Sequence, residues 1–161
     1  MSRLSEELQF GYLIESVSKA ATAVATDAVD LSRFSAITFG FAFGAITGNS
    51  VLTCYPGSTN AIAAAKSETA IAFKYRLAAA DCSNTLADTY GDETAVLYTG
   101  LTLTATTFDH KIMLVEFDCD QMTTTNRFLV FSLSNIANPI LISAWFVGKP
   151  RYPGHTGVTA L

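Results

Sequence analysis

Between Ile37 and Gly44 the chain alternates large and small residues without a slip, Ile37, Phe39, Phe41 and Phe43 against Thr38, Gly40, Ala42 and Gly44. Successive side chains of an extended strand point to opposite faces, so this pattern predicts a strand with four large apolar groups on one face and little bulk on the other. Such a strand needs sheet neighbours and a second layer to cover it, and segments with similar cues recur along the chain. Candidate strands are Thr22 to Val29, Val51 to Tyr55, Ile71 to Leu77, Val96 to Ala105, Lys111 to Phe117, Arg127 to Leu133 and Ile140 to Val147. Turn signals fall between them at Asp30-Leu31-Ser32-Arg33-Phe34, Gly48-Asn49 and Pro56-Gly57-Ser58. Gly148-Lys149-Pro150-Arg151-Tyr152 reads as an exit that ends the last strand, and Ala61 to Ala65 is too short for more than a loop or a single helical turn. About eight short strands with no helical pattern alternating between them predict an all-β fold, an antiparallel β-sandwich or jelly roll.

The 161 residues suffice for one domain with a real core. Only 15% are charged, against about 25% in an average soluble protein, which suits a surface partly covered by a partner or one rich in Thr, Ser and Asn. The net charge is −4 and the basic residues are scattered from Arg3 to Arg151. No basic run tracks a phosphate backbone, so nucleic acid is not an expected partner. The longest apolar run, Ile37 to Ile46, falls well short of the ~20 residues of a membrane span, and Glu6, Glu7 and Glu15 interrupt any secretion signal. A soluble chain is expected. Cys54, Cys82 and Cys119 are widely spaced and odd in number, fitting a reducing cytoplasm and neither a disulfide framework nor a zinc site.

Residues 1–19 are expected to form an N-terminal arm, residues 20–150 the sandwich and residues 151–161 a C-terminal tail. In the arm, Leu4 and Leu8 suit one face of a helix while Phe10, Tyr12 and Ile14 alternate as a strand would, and Gly11 interrupts both. An apolar segment that follows neither period throughout is expected to take its shape from a partner, with packing on its own domain as the alternative.

Motifs that carry chemistry are missing. The chain has no G-x-S-x-G elbow, P-loop, G-x-G-x-x-G or H-E-x-x-H. His110 and His155 are the only histidines, and the Asp109-His110 pair at a strand start reads as a solvated turn. Glu116, Asp118 and Asp120, at i, i+2 and i+4, would point one way from a strand, as a hard cation requires or as a charged outer face that blunts edge pairing provides. The second reading is expected. The segment Ala78 to Thr94, with Asp81, Asp88, Asp92 and Glu93, reads as a long solvated loop. No catalytic residue, cofactor or metal is expected.

Four stretches carry a resemblance. They are Val29-Asp30-Leu31-Ser32-Arg33-Phe34 with the alternating strand and Gly44-Ala45-Ile46-Thr47-Gly48 after it; Leu114-Val115-Glu116-Phe117-Asp118 with Asn126-Arg127-Phe128; Phe131-Ser132-Leu133-Ser134-Asn135; and Val147-Gly148-Lys149-Pro150-Arg151-Tyr152. In order and spacing, over roughly Ala20 to Pro153, they resemble the small jelly-roll decoration, or cement, proteins of tailed-bacteriophage heads. The chain departs from that pattern at Cys54-Tyr55-Pro56-Gly57-Ser58, where such proteins often carry a Gln-Glu-Ser-Asp-like strand end. The resemblance implies a non-enzymatic virion protein, made in the host cytoplasm, that stabilises a capsid from outside by binding the major capsid protein and associating with itself as trimers or dimers. A tail or head-fibre module that binds host-surface glycan is the alternative. Expected contact residues are Leu8, Phe10, Tyr12, Leu13, Ile14, Trp145, Arg151 and Tyr152. Trp145 and Phe146 must face opposite ways on a strand, so one of them is core and the other is available to a partner.

Overall fold

The computed structural model describes residues 7–19, 23–82, 89–123, 125–134 and 140–151. Among them are eleven strands: β1 (Gln9–Lys19), β2 (Val24–Ala25), β3 (Val29–Asp30), β4 (Phe34–Ile46), β5 (Ser50–Gly57), β6 (Phe73–Leu77), β7 (Thr94–Val96), β8 (Leu101–Leu103), β9 (Ile112–Asp118), β10 (Phe128–Leu133) and β11 (Ile140–Pro150). Two single helical turns join them, α1 (Ile62–Ala65) and α2 (Ala105–Phe108). One sheet has the order β1-β11-β4-β9-β6-β7, the other β2-β10-β5-β8 with β3 also on β10, and every ladder is antiparallel. The two sheets pack together as a β-sandwich.

The alternating segment is the centre of the larger sheet. Ile37, Phe39, Phe41 and Phe43 of β4 are all buried, and β4 pairs with β11 on one side and β9 on the other. Across the interior, the ring of Phe131 on β10 lies 5.1 Å from those of Phe39 and Phe41 and 5.6 Å from that of Phe73, each edge to face. Leu52 and Cys54 of β5 and Leu129 and Leu133 of β10 complete the second sheet's contribution to the core. The Gly48-Asn49 turn does not close a hairpin. It carries the chain from β4 in one sheet to β5 in the other, since the core faces of both strands must meet across the interior.

Two expected strands are split. Thr22 to Val29 becomes β2 and β3, both on β10, with Thr26 between them: its N–H donates to the Phe131 carbonyl at 2.8 Å and its buried hydroxyl accepts the Phe131 N–H at 2.9 Å. The threonine side chain thus continues the ladder where the strand geometry lapses. Val96 to Ala105 breaks at a turn in which the Gly100 N–H reaches the Leu97 carbonyl at 3.0 Å. Gly100 has φ of +92°, which an L side chain rarely adopts, and the reversal sends β7 and β8 to different sheets.

Residues 9–19 correct the expectation of a free arm, for they form β1, the edge strand of the larger sheet, paired with β11 from Gln9↔Gly148 to Lys19↔Ile140. Register shifts between Tyr12 and Ile14 and between Ile14 and Val17 explain why no single period fitted: a bulge lets neighbouring Leu13 and Ile14 both turn inward. The expected exit is also corrected. Strand β11 runs through Gly148 and Lys149 to Pro150, which pairs with Phe34 after a register shift, at a strand terminus where its missing N–H is tolerated. Leu4, Asp88, Tyr152 and His155 lie outside the described residues.

Truncating Phe131 to Ala should lower stability by about 3–5 kcal/mol, read as a shift in the urea midpoint with an unchanged slope. Deleting residues 2–19 should lower the melting temperature sharply or leave the chain insoluble, because it unpairs one edge of β11 and strips Leu13 and Ile14 from the core. A truncated chain that melts like the intact one would restore the free-arm picture.

Candidate contact surface on the outer sheet face

The same alternation that fills the core determines what the larger sheet shows to the outside. In β11, Ile140, Ile142, Ala144 and Phe146 are buried, while Leu141, Ser143, Trp145 and Val147 face away. Phe146 is therefore the core aromatic, edge to face with Phe34 at 5.6 Å, and Trp145 is the outward one. Strand register sets Trp145 in a row across the sheet: Tyr12 of β1, Trp145, Gly40 of β4, Leu114 of β9 and Arg76 of β6 are directly opposite one another in turn. A neighbouring row runs Phe10, Val147, Thr38, Glu116. Directly opposed residues share a face, so these are continuous surface rows.

Gly40 makes the first row possible. A Cβ there would overlap the indole of Trp145, which lies flat across the β4 backbone. The indole is thus half covered by its own sheet, while Tyr12 and Phe10 stand out beside it, 74% and 58% exposed. Phe10, Gly11, Tyr12 and Trp145 line a shallow groove of about 420 Å³. Leu141, 41% exposed, extends the apolar surface over Gly44. Grouped large apolar side chains on a solvent-facing sheet are the kind of patch that marks an interaction surface.

Of the contact residues expected from the sequence, Phe10, Tyr12 and Trp145 come together here. Leu13 and Ile14 do not; they are core. Leu8 is half-buried just before β1. Arg151 is engaged within the chain: its backbone N–H donates to the Arg33 carbonyl at 2.8 Å, and Nη2 donates to the Phe34 carbonyl at 3.2 Å and to Asp120 at 2.7 Å. It pins the end of β11 to the start of β4. Leu141, Val147 and Leu114 escaped the sequence reading, although Leu141 and Val147, four and two residues from Trp145 on one strand, share its face; Leu114 joins them only through its pairing with Gly40.

The carboxylates do not converge. Glu116 and Asp118 are exposed on β9, but Asp118 caps a 3-10 turn at Cys119–Gln121 by accepting the Asp120 N–H at 3.1 Å, and Asp120 sits in that turn against Arg151. The expected three-carboxylate face therefore ends at Asp118, because the chain leaves the strand there. In the long loop Glu93 bonds Lys74 at 2.7 Å, and that ammonium holds its carboxyl below the usual range. Asp109 accepts the Ile46 N–H at 2.7 Å, and His110 occupies a turn with φ of +54°. No group of three or more His, Cys, Asp or Glu suited to a metal occurs among the described residues.

The three cysteines are free thiols. Burial pushes the Cys54 thiol well above its ordinary value; burial also raises that of Cys119, to about 11, with Arg151 opposing and Asp118 and Asp120 adding to the rise. Thiolate is the reactive form, so both should resist modification while exposed Cys82 does not. A disulfide reagent at pH 8 should titrate one thiol rapidly in the folded protein and all three after denaturation. Fast reaction at Cys54 in the native state would show that the core opens.

Comparison with protein-family models, curated proteins and solved structures finds no match to this chain.

Proposed function

We propose that this protein is a non-enzymatic structural component of a bacteriophage particle that binds the outside of the assembled capsid and stabilises it. The observation that carries this reading is the open, apolar outer face of the larger sheet. Its groove beside Tyr12 and Trp145 is shallow, and among the described residues that line it a phenol and an indole N–H are the only polar side-chain groups. Chemistry needs convergent titratable groups; a flat surface with a central pair of aromatics suits attachment to another macromolecule. The resemblance in sequence supplies the identity of that partner, the major capsid protein. It also supplies the self-association, as trimers or dimers.

The reading includes a jelly roll. Its support is strand order: with β2 and β3 counted as one strand and β6 and β7 set aside as an extension, the remaining eight fall in chain order as 1-8-3-6 in one sheet and 2-7-4-5 in the other. That is the arrangement produced when one long antiparallel hairpin is wrapped into two layers. Fold alone does not settle function, but a sandwich with a broad outer sheet is a suitable platform for lying on a shell. Repetition over a lattice would multiply modest individual contacts.

A glycan-binding module is the second reading, favoured by the same groove because exposed aromatics stack on sugar rings. A sugar also presents hydroxyls that must be paired, and this groove offers few partners. Co-sedimentation with capsids assembled without the protein, together with a glycan array, separates the two. Intact chain should saturate capsids at a copy number set by the lattice. Tyr12→Asp should bind about tenfold or more weakly, roughly 1.4 kcal/mol, with an unchanged melting temperature because Tyr12 is not core. Saturable glycan binding without capsid binding would reverse the order of the readings.

A further inference from the structure

A second feature lies at one end of the sandwich, where β1 of the larger sheet and β3 of the smaller one diverge and leave a cleft of about 510 Å³. That size is within the ~300–1,000 Å³ usual for ligand sites. The cleft shares only Tyr12 with the outer-face groove. Among its lining residues are the edge-to-face pair Phe34 and Phe146, with Leu13 beside them. Arg33 and Arg127 line it as well, and the Arg127 guanidinium stands 5.1 Å over the ring of Phe128.

The two arginines share a single carboxylate. Asp30 Oδ1 accepts the Ser32 N–H at 3.1 Å and the Ser32 hydroxyl at 2.6 Å, and these bonds set the turn that follows β3. Arg33 Nε approaches Oδ2 at 3.5 Å and Arg127 Nε approaches Oδ1 at 3.6 Å. Each guanidinium carries five N–H donors, and here each approaches Asp30 through its Nε. The Nη groups of both have no other hydrogen bond or ion pair among the described residues. Asp27 and Asp30 together balance the two cations over the whole lining, but the cluster around Asp30 is itself locally positive, and an unused guanidinium edge matches a carboxylate in geometry as well as in sign.

We propose that this cleft is a binding site for the carboxylate of an acidic side chain in an apolar-flanked peptide, held by Arg33 and Arg127 while the flanking groups rest on Tyr12, Ile62 and Phe128, the lining groups that core packing leaves accessible. Ile62 and Phe128, partly exposed apolar groups of the lining, favour a peptide with apolar flanks over a sugar acid, most of whose surface is hydroxyl. Asp27, exposed on the rim, is the one lining acid that neither arginine approaches, and it opposes the ligand. The site is separate from the outer sheet face and stands whether or not that face binds a capsid.

The test is a titration of the full-length chain followed by the Nε–Hε NMR signals of its arginines, with acetyl-Leu-Glu-Leu-amide as probe and its Gln counterpart as control. The expected result is saturable shifts at Arg33 and Arg127, with binding of the Gln peptide about tenfold weaker. Asp27→Asn should tighten the Glu peptide by about twofold or more, and Arg127→Gln should abolish the response at Arg33. The two-peptide comparison uses unaltered protein, so a variant that misfolds does not affect it. Equal binding of the two peptides, shifts confined to other arginines, or saturation by N-acetylneuraminate or inorganic phosphate but not by the Glu peptide overturns the proposal.

Discussion

The insertion of one ring between others holds the two layers together. Phe131 of β10 meets Phe39, Phe41 and Phe73 edge to face, with centroids 5.1 to 5.6 Å away. Rings in that arrangement oppose the positive edge of one to the negative face of the next, and each adds about 0.5–1.5 kcal/mol beyond its buried area. The residue that supplies the ring is also held by its backbone, since Thr26 bonds both its N–H and its carbonyl. Sheet spacing, strand register and the break between β2 and β3 therefore meet at one position.

What the core requires of β4 determines the outer face. Alternation turns Gly40 and Ala42 outward, and the space that Gly40 leaves is filled from β11 by Trp145. Because β1 is then added at the edge with Gly11 facing the Phe146 ring, its outward residues Phe10 and Tyr12 arrive beside the indole. The exposed aromatic surface follows from ladder register alone, without any loop. A rigid sheet presents such a surface with little ordering entropy left to lose on binding.

Legibility followed regularity. Strand β4 was readable because it alternates large and small residues from Ile37 to Gly44, and β9, β10 and β11 because each is an apolar run rich in branched and aromatic residues between turn signals. The opposed facing of Trp145 and Phe146 followed from the same rule, although which of them was core did not. Strand β1 was hidden by its bulges, which place Leu13 and Ile14 on the same side and so mimic a helical or partnerless pattern. The three carboxylates of β9 failed for a related reason: a side-chain cap at Asp118 turns the chain out of the strand, and spacing arguments hold only while the element continues. Pro150 looked like a stop, yet a strand end places no demand on the N–H it lacks.

The sequence by itself determined that the chain is all-β, that Ile37, Phe39, Phe41 and Phe43 share a core face, and that no familiar catalytic motif is present. These are local properties, set by side-chain alternation and residue chemistry. The tertiary structure decided that residues 9–19 belong to the sheet, that β4 and β5 separate into different layers, and that Tyr12 stands opposite Trp145, more than a hundred residues later in the chain. It also drew Arg33 and Arg127 to the one carboxylate of Asp30. Each of these depends on which strands pair and in what register, and pairing is a free-energy balance over the whole sheet that no short window of sequence contains.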